Sequence, residues 1–278
     1  MTEEQKAGRK LETLGNKFSR RELLVGAGGF AAGAALGATL GSGALDLLPK
    51  AKAAGEPEVP AWPWPYKKLD PAAVSKLGYQ SYYEGGCMYG AAKAILLELR
   101  DKVGYPYNMV PLDMFRYGEG GMVGWGTLCG ALNGAAAILT LVSGKPVYPK
   151  LVNELLGWYS GEPFPSKKHD QYAKFPDEVQ NVSGSPLCHV SVTEWCKHSG
   201  FKVTDPQRLD RCAKLTGDVA ARAVEMLNLQ ADGSFIAAYK PSDLFAGCMS
   251  CHVGKDSALN NVQGRMDCVQ CHDDPHKK

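Results

Sequence analysis

The polar tail of the chain repeats one short motif, and this motif limits what the tail can fold around. Cys-x-x-Cys-His occurs at residues 248–252 and again at residues 268–272. Such a motif attaches a c-type haem, because two thiols three positions apart reach both vinyl groups of one porphyrin and the adjacent histidine reaches the iron. The predicted thioether residues are Cys248, Cys251, Cys268 and Cys271, and the predicted proximal iron ligands are His252 and His272.

Covalent attachment also explains how this tail folds. Residues 232–278 are rich in Gly, Pro, Asp and Asn and contain few apolar side chains, so they cannot build a core alone. Two attached macrocycles would supply that core. We therefore interpret residues 232–278 as an irregular segment that binds two haem c groups.

Zinc is the main alternative for the same four cysteines. Their spacing, C-x2-C-x16-C-x2-C, is also that of a zinc ribbon, in which four thiolates surround one ion. Zinc binding does not require the histidine that directly follows each cysteine pair. A disulfide inside each pair is a weaker alternative. The histidines and the predicted export of the chain both favour haem.

The second axial ligand of each haem iron is harder to assign. The chain has four further histidines: His169, His189, His198 and His276. His189, near a predicted helix start, is the first candidate for a distal ligand, and His169, in a polar loop, is the second. Methionine ligation, which raises the reduction potential, is an alternative through Met249 or Met266.

Residues 1–53 are typical of a twin-arginine export signal. Arg20 and Arg21 precede a Gly/Ala-rich apolar run that ends near Leu48, and Ala51-Lys52-Ala53 offers a small-x-small cleavage site. We expect a periplasmic protein without stable membrane insertion once the signal is cleaved. An uncleaved anchor is the alternative. Because this pathway exports folded proteins and haem c is attached after export, a further cofactor loaded in the cytoplasm would explain its use.

The rest of the chain has the composition of a globular protein. Its 278 residues carry a formal net charge of +2, which gives no reason to expect nucleic acid as a partner. Residues 54–69 form a Pro/Trp-rich extended lead-in, and residues 70–231 predict a helical domain, so the fold class is mainly α. Helices are predicted over Glu84–Arg100, Thr127–Leu141, Pro186–His198 and Pro206 to about Leu229.

Five cysteines lie outside the haem motifs. Cys87 and Cys129 each follow glycines in the first turn of a predicted helix, Cys188 lies near a third helix start, and Cys196 is two turns further on. A helix N-terminus lowers the pKa of a thiol and so favours the thiolate that a metal needs. These four cysteines are candidate iron–sulfur ligands.

Two alternatives apply to these cysteines. Cys212 falls on the apolar stripe of its predicted helix, where it is either an inert buried thiol or a further ligand. Cys188 and Cys196 could instead form a disulfide in an oxidising compartment.

Taken together, these motifs resemble a known family. Gly-Gly-Cys87, the run Gly-Trp-Gly-Thr-Leu-Cys129-Gly, Pro-Leu-Cys188-His and Trp-Cys196 resemble the C-GCAxxG-C-C family of redox-associated proteins. With the two haem motifs, residues 70–278 resemble split-Soret cytochrome c of sulfate-reducing bacteria. The resemblance implies a mainly helical homodimer with two closely spaced bis-His haems per subunit, an axial ligand donated by a partner subunit, and an iron–sulfur centre. It assigns the first four cysteines to the family positions and leaves Cys212 open.

The expected function is electron transfer with other redox proteins, because bis-His ligation leaves no open iron site for a substrate. A reductase of a small oxidant such as nitrite or peroxide, with one five-coordinate haem, is the main alternative and would make the protein an enzyme. A zinc-stabilised structural protein is the third hypothesis.

Overall fold

The computed structural model describes residues 58–255, 257 and 264–271. The predicted export signal, His272 and His276 lie outside the described residues. All elements below belong to one compact unit, Val59–Lys278. The α-helices are α1 (Pro71–Lys102), α2 (Gly130–Val142), α3 (Tyr148–Gly161), α4 (Cys188–Ser199), α5 (Pro206–Ala231) and α6 (Asp243–His252).

Short elements connect these helices. Strands β1 (Pro163–Phe164) and β2 (Asn181–Val182) pair antiparallel, with Pro163 opposite Val182. The 3₁₀ helices span Tyr107–Met109, Leu112–Gly118, Lys167–His169 and Cys268–Gln270. The fold is mainly helical, as predicted.

Helix α1 is longer than its sequence pattern suggests. It begins after Asp70, whose carboxylate accepts a hydrogen bond from the Ala72 N–H at 2.9 Å and so satisfies a free donor of the first turn. The chain breaks helical geometry at Gly85 and at Gly86, which has a φ of +80° that favours glycine. The predicted start at Glu84 therefore marks an internal break, and a second helical run begins just after it.

The core forms where α1 packs against α5 and α2. A Cβ on Gly78 would lie 3.0 Å from the Gly217 Cα, and a Cβ on Gly134 would lie 2.4 Å from the Met88 carbonyl oxygen. Small residues at these crossings let the helix backbones approach closely. Around them, side chains such as Ile95, Leu99, Leu132, Leu139, Val219 and Val224 are fully buried. This close packing sets the positions of Cys87 on α1, Cys212 on α5 and Cys129 just before α2.

The aromatic lead-in is fixed to the helical body. The Trp62 indole N–H donates to the Thr140 carbonyl at 2.7 Å, and the Trp64 backbone N–H donates to the Leu141 carbonyl at 3.0 Å. Further along, the Tyr66 hydroxyl donates to the Asn228 side chain at 2.8 Å. The residues just before α1 thus pack over the ends of α2 and α5.

Two helices were not predicted. Helix α3 lies in a stretch for which the sequence pattern gave no helix, and α6 lies in the tail, where regular patterning was expected to fade. The Ser242 hydroxyl caps α6 by accepting from the Phe245 N–H at 3.1 Å, and the Phe245 ring is buried. A local cap and one apolar contact thus form a helix in a polar segment.

One face of α5 carries buried charges. Asp210, Lys214 and Asp218 follow each other at four-residue spacing and are almost inaccessible to solvent. The Lys214 ammonium lies 3.2 Å from Glu178 Oε2 and 3.4 Å from Asp170 Oδ1. This single cation lies close to several carboxylates, and its attraction offsets part of the cost of burying them.

Among the described residues, no helix has both the length and the apolar character needed to cross a membrane.

Candidate functional site

Four cysteines from different parts of the sequence line one cavity of about 590 Å³. We call it the cysteine cavity, and its thiols belong to Cys87, Cys129, Cys188 and Cys212. Helices α1, α4 and α5 each contribute one of these residues, and Cys129 directly precedes α2. The fold therefore brings together thiols that are up to 125 positions apart in the sequence.

Local geometry explains why three of these cysteines lie at helix starts. Cys87 follows the break at Gly85 and Gly86, Cys129 occupies the N-cap position of α2, and Cys188 is the first residue of α4. A short antiparallel bridge joins the last two, because the Cys129 N–H donates to the Pro186 carbonyl at 2.9 Å and the Cys188 N–H donates to the Thr127 carbonyl at 2.7 Å. The two cysteines thus enter the cavity side by side.

Glycines leave room for the thiols. A Cβ on Gly130 would lie 2.4 Å from the Cys87 Sγ, and a Cβ on Gly121 would lie 2.9 Å from the Cys188 Cβ. Gly121 also has a φ of +67°. The glycine-rich sequence around Cys129 therefore supplies both the turn and the space that the cavity requires.

Cys212, the cysteine that the family pattern left open, is the fourth thiol of the cavity. Cys196 is not among the lining residues. Cys196 lies eight positions after Cys188 on α4, a rise of about 12 Å along the helix axis. Because that separation exceeds the reach of a disulfide, and both thiols are free, the structure does not support a Cys188–Cys196 disulfide.

Burial controls the protonation of these thiols. Burial, followed by the neighbouring cysteines, raises the pKa of Cys87 well above its usual value, and it also raises the pKa of Cys129. The same causes raise the pKa of Cys188 to about 12. The expectation that helix starts lower these pKa values is wrong, because loss of solvent outweighs the helix dipole. Burial therefore favours the protonated form of Cys87, Cys129 and Cys188.

Two arginines of α5 also line the cysteine cavity, and neither was predicted from the sequence. Arg211 is 1% exposed. Its Nη2 donates to the Ser191 hydroxyl at 2.8 Å, its Nη1 lies 3.8 Å from the Cys212 Sγ, and its buried Nε has no hydrogen-bond partner. Arg208, one helical turn before Cys212, contributes a second positive charge. Arg208 and Cys212 are four positions apart, a spacing that places two side chains on the same face of a helix, so the sequence could have indicated that they lie close together.

No carboxylate in the described part of the chain forms an ion pair with Arg211. A buried guanidinium without an anion is costly. The thiols do not converge on one point either: no group of three or more His, Cys, Asp or Glu side chains in residues 58–255, 257 and 264–271 is placed to hold a single metal ion. Soft donors around a roomy, positively charged cavity fit an anionic cluster of several atoms better than a lone ion.

The haem motifs lie beside a second cavity, of about 1140 Å³, which we call the tail cavity. It lies between α3 and the C-terminal segment, and Phe245, Met249 and Met266 are among its lining residues. The first motif forms the end of α6, where Cys251 and His252 are exposed. The second motif begins on the last 3₁₀ helix, where Cys271 is exposed. Met249 of the first motif lines the tail cavity, and so do Met266 and Asp267, which directly precede the second motif. The two motifs therefore adjoin an opening large enough for apolar cofactors.

The candidate distal ligands have different surroundings. His169 is fully buried, and its ring nitrogens lie 2.9 Å from Asp218 Oδ1 and 2.8 Å from the Tyr172 hydroxyl. With both nitrogens engaged, this ring has none to offer an iron, so the geometry does not support His169 as a distal ligand. His189 is exposed at the rim of the cysteine cavity and does not line the tail cavity. His198 is exposed on α4.

Both methionine candidates lie at the tail cavity. Met249 and Met266 are lining residues, and the Met266 sulfur accepts a hydrogen bond from the buried Ser185 hydroxyl at 3.7 Å. This contact ties the C-terminal segment to the chain that leads into α4.

The helical fold, the cysteine cavity and the haem motifs define a redox protein that binds haem or iron, and the relatives agree. A family model described as "Putative redox-active protein (C_GCAxxG_C_C)" matches residues 89–226. The split-Soret cytochrome c of Desulfovibrio desulfuricans is 36% identical over 270 residues, which cover 92% of this chain and 94% of the relative. The chain therefore belongs to the split-Soret cytochrome c family.

A solved structure supports the same relationship. It is described as showing a novel iron centre in the split-Soret cytochrome c from Desulfovibrio desulfuricans, and it superimposes with a TM-score of 0.70 at 37% identity. The match covers 76% of this chain and 90% of that chain. At this identity, the fold and the redox character of the family extend to this protein.

Proposed function

We propose that this protein is a periplasmic dihaem c-type cytochrome that transfers electrons and holds an iron–sulfur centre in its cysteine cavity. The observation that carries the proposal is the pairing of four thiols, two of them buried and two half-buried, with a buried arginine that forms no ion pair with a carboxylate in the described part of the chain. The relative described with a novel iron centre supports it.

Charge balance is the physical reason. The Arg211 guanidinium is buried and forms no ion pair with a carboxylate in the described residues, and leaving a buried charge unpaired costs about 3–5 kcal/mol. Iron-bound thiolates give the cavity the negative charge that this guanidinium needs. The ligands of the proposed centre are Cys87, Cys129, Cys188 and Cys212, with Cys196 the position at which the family pattern and the cavity differ.

Two haems occupy the tail. Thioether bonds form at Cys248, Cys251, Cys268 and Cys271, and the proximal ligands are His252 and His272. The tail cavity supports this assignment, because it offers the bound macrocycles a partly enclosed surface that contains Phe245. When bound, the haems supply one-electron redox chemistry, and the protein holds, orients and partly shields them.

The distal ligands and the oligomeric state are linked. With His169 engaged inside the fold, exposed histidines such as His189 remain among the described residues. An exposed ring can enter the haem site of a second copy, so we propose a homodimer in which the subunits share axial ligands. Other redox proteins would be its electron donors and acceptors.

The proposed route to the periplasm is twin-arginine export of a chain folded around its iron–sulfur centre. Folding before export would protect buried thiols from oxidation, and haem attachment would follow outside the cytoplasm.

An absorption spectrum with haem and iron counted per chain tests the proposal. We expect two haems, additional non-haem iron, and a sharp α band with a split Soret band after dithionite reduction. Two haems without further iron would remove the iron–sulfur centre, and one zinc per chain without haem would overturn the proposal.

A reductase with one open haem iron is a second candidate, because the engagement of His169 reduces the supply of distal ligands. Carbon monoxide and cyanide distinguish the two functions. They should leave the spectrum of an electron carrier nearly unchanged, whereas a five-coordinate haem would bind them and shift its Soret band.

A further inference from the structure

The cysteine cavity and the tail cavity share one wall. Leu128 and Leu187, which pair as an antiparallel bridge, line the tail cavity, and the residues that follow them, Cys129 and Cys188, line the cysteine cavity. On each of the two paired segments, consecutive residues therefore line different cavities.

The second haem motif contacts the stretch of chain that leads into this wall. Gln270 lies between the haem-attaching residues Cys268 and Cys271, and its side-chain Nε2 donates to the Gly184 carbonyl oxygen at 2.9 Å. Gly184 has a φ of +67°, and a Cβ there would lie 2.6 Å from Gln270 Nε2. Glycine thus provides both the backbone conformation and the clearance for this contact.

From Gly184 the covalent chain leads straight to the thiols. Residues 184–188, which we call the bridging segment, end at Cys188, and the Pro186 carbonyl within it accepts the Cys129 N–H at 2.9 Å. The same segment donates from Ser185 to the Met266 sulfur. Two of the four cavity cysteines are therefore reached from the second haem motif through covalent bonds and no more than two hydrogen bonds.

We propose that the bridging segment, entered through the hydrogen bond from Gln270 to Gly184, is the electron conduit between the second haem and the cysteine centre. The inference rests on the proposed function. Electronic coupling decays more slowly through covalent and hydrogen bonds than across empty space, so a bonded route outcompetes a jump between cavities. One centre loses one electron and the other gains it, with no transfer of a proton or ligand.

Substitution of Gln270 tests the route, since a pathway requires measured coupling and not mere proximity. Gln270→Leu removes the donor, and Gln270→Asn keeps an amide on an arm too short to reach Gly184. Gln270→Lys retains a long N–H donor. Gln230→Leu, near the end of α5, is the control, because that residue lines neither cavity.

The measurement uses the loaded, full-length protein. An external photochemical reductant injects one electron, and its redistribution is followed at the haem α band and at the absorption of the iron–sulfur centre. We expect redistribution to slow several-fold in Gln270→Leu and Gln270→Asn, with haem and iron content unchanged. The Gln270→Lys and Gln230→Leu variants should retain the original rate. Amide hydrogen exchange of the bridging segment, measured before iron is loaded, should rise in the first two variants.

Two outcomes would overturn the inference in distinguishable ways. If the unmodified protein contains haem but no further iron, the proposed function fails and the conduit has no second centre to serve. If the iron is present and hydrogen exchange shows that the contact is lost, yet the rate is unchanged, only the conduit fails.

Discussion

Replacing Arg211 by glutamine removes a buried positive charge from the wall of the cysteine cavity. The guanidinium lies 3.8 Å from the Cys212 Sγ, and two unit charges at this separation interact by about 4 kcal/mol at an effective dielectric constant of about 20. An added electron spreads over a cluster at roughly twice that distance, which leaves about 2 kcal/mol. Because the positive charge favours the reduced, more negative state, its loss lowers the reduction potential by on the order of 90 mV for a one-electron couple.

The assay is a redox titration of the iron–sulfur centre, followed by its absorption or electron paramagnetic resonance signal. Arg211→Lys should restore most of the potential, because it keeps the charge while losing the fork that bonds to Ser191. Arg222→Gln is the matched control on the same helix, since its guanidinium is 30% exposed, lies 3.3 Å from Glu225 and lines neither cavity. It should leave the potential unchanged.

One result of this titration would refute the role of Arg211. If Arg211→Gln folds and holds the same amount of iron but keeps its potential within the error of the control, the guanidinium does not compensate charge in the cavity.

Three further predictions concern buried positions of the helical body. Burial, opposed by the Lys214 ammonium, raises the pKa of Glu178 to about 7, so the folded state holds this proton more tightly than the unfolded state between about pH 4.5 and pH 7. The contribution of Glu178 to stability is therefore fully present below that window and is lost as the pH rises through it. Between pH 5 and pH 8, the free energy of unfolding of Glu178→Gln should rise by on the order of 2 kcal/mol relative to that of the wild type, as measured by urea unfolding. His169→Ala leaves the buried Asp218 carboxylate with one fewer partner and should cost about 1–3 kcal/mol in urea unfolding, with an unchanged haem spectrum. Gly130→Ala forces a methyl group against a cavity thiol and should cost about 1–3 kcal/mol and lower the non-haem iron content.

Each of these predictions has a contrary outcome. A stability difference for Glu178→Gln that does not vary with pH would contradict the raised pKa. A high-spin haem in His169→Ala would show that this histidine ligates iron after all. Gly161→Ala is the control for Gly130→Ala, because a Cβ there meets no atom within 4 Å, and equal iron loss in both variants would rule out the steric explanation.

Sequence patterns located most of the helices because their signals are local. Pro206 marked the start of α5, and small apolar residues marked α2. The glycines before Cys87 signalled a helical start, but the structure places them at a break inside α1. Nothing in the periodicity predicted α6, since its cap and the single buried ring of Phe245 are too short a signal.

For the candidate site too, local features were predictable from the sequence and long-range ones were not. Helix-start positions for Cys87, Cys129 and Cys188 were readable from neighbouring residues, but the exchange of Cys196 for Cys212 was not. A pattern can place a thiol on a helix, but it cannot show which cavity that side of the helix faces. Only the packing of α4 against its neighbours and the crossing of α5 with α1 decide this.

By itself, the sequence determined the helical class, the family and the haem-attachment prediction, because helix periodicity and the Cys-x-x-Cys-His spacing depend on residues adjacent in the chain. Tertiary structure alone decided that Arg211 lies among the thiols, that burial raises the pKa values of Cys87, Cys129 and Cys188, that both nitrogens of His169 are engaged, and that Gln270 touches the bridging segment. Charge, desolvation and hydrogen bonding act through space between residues far apart in sequence, so they become defined only when the helices pack.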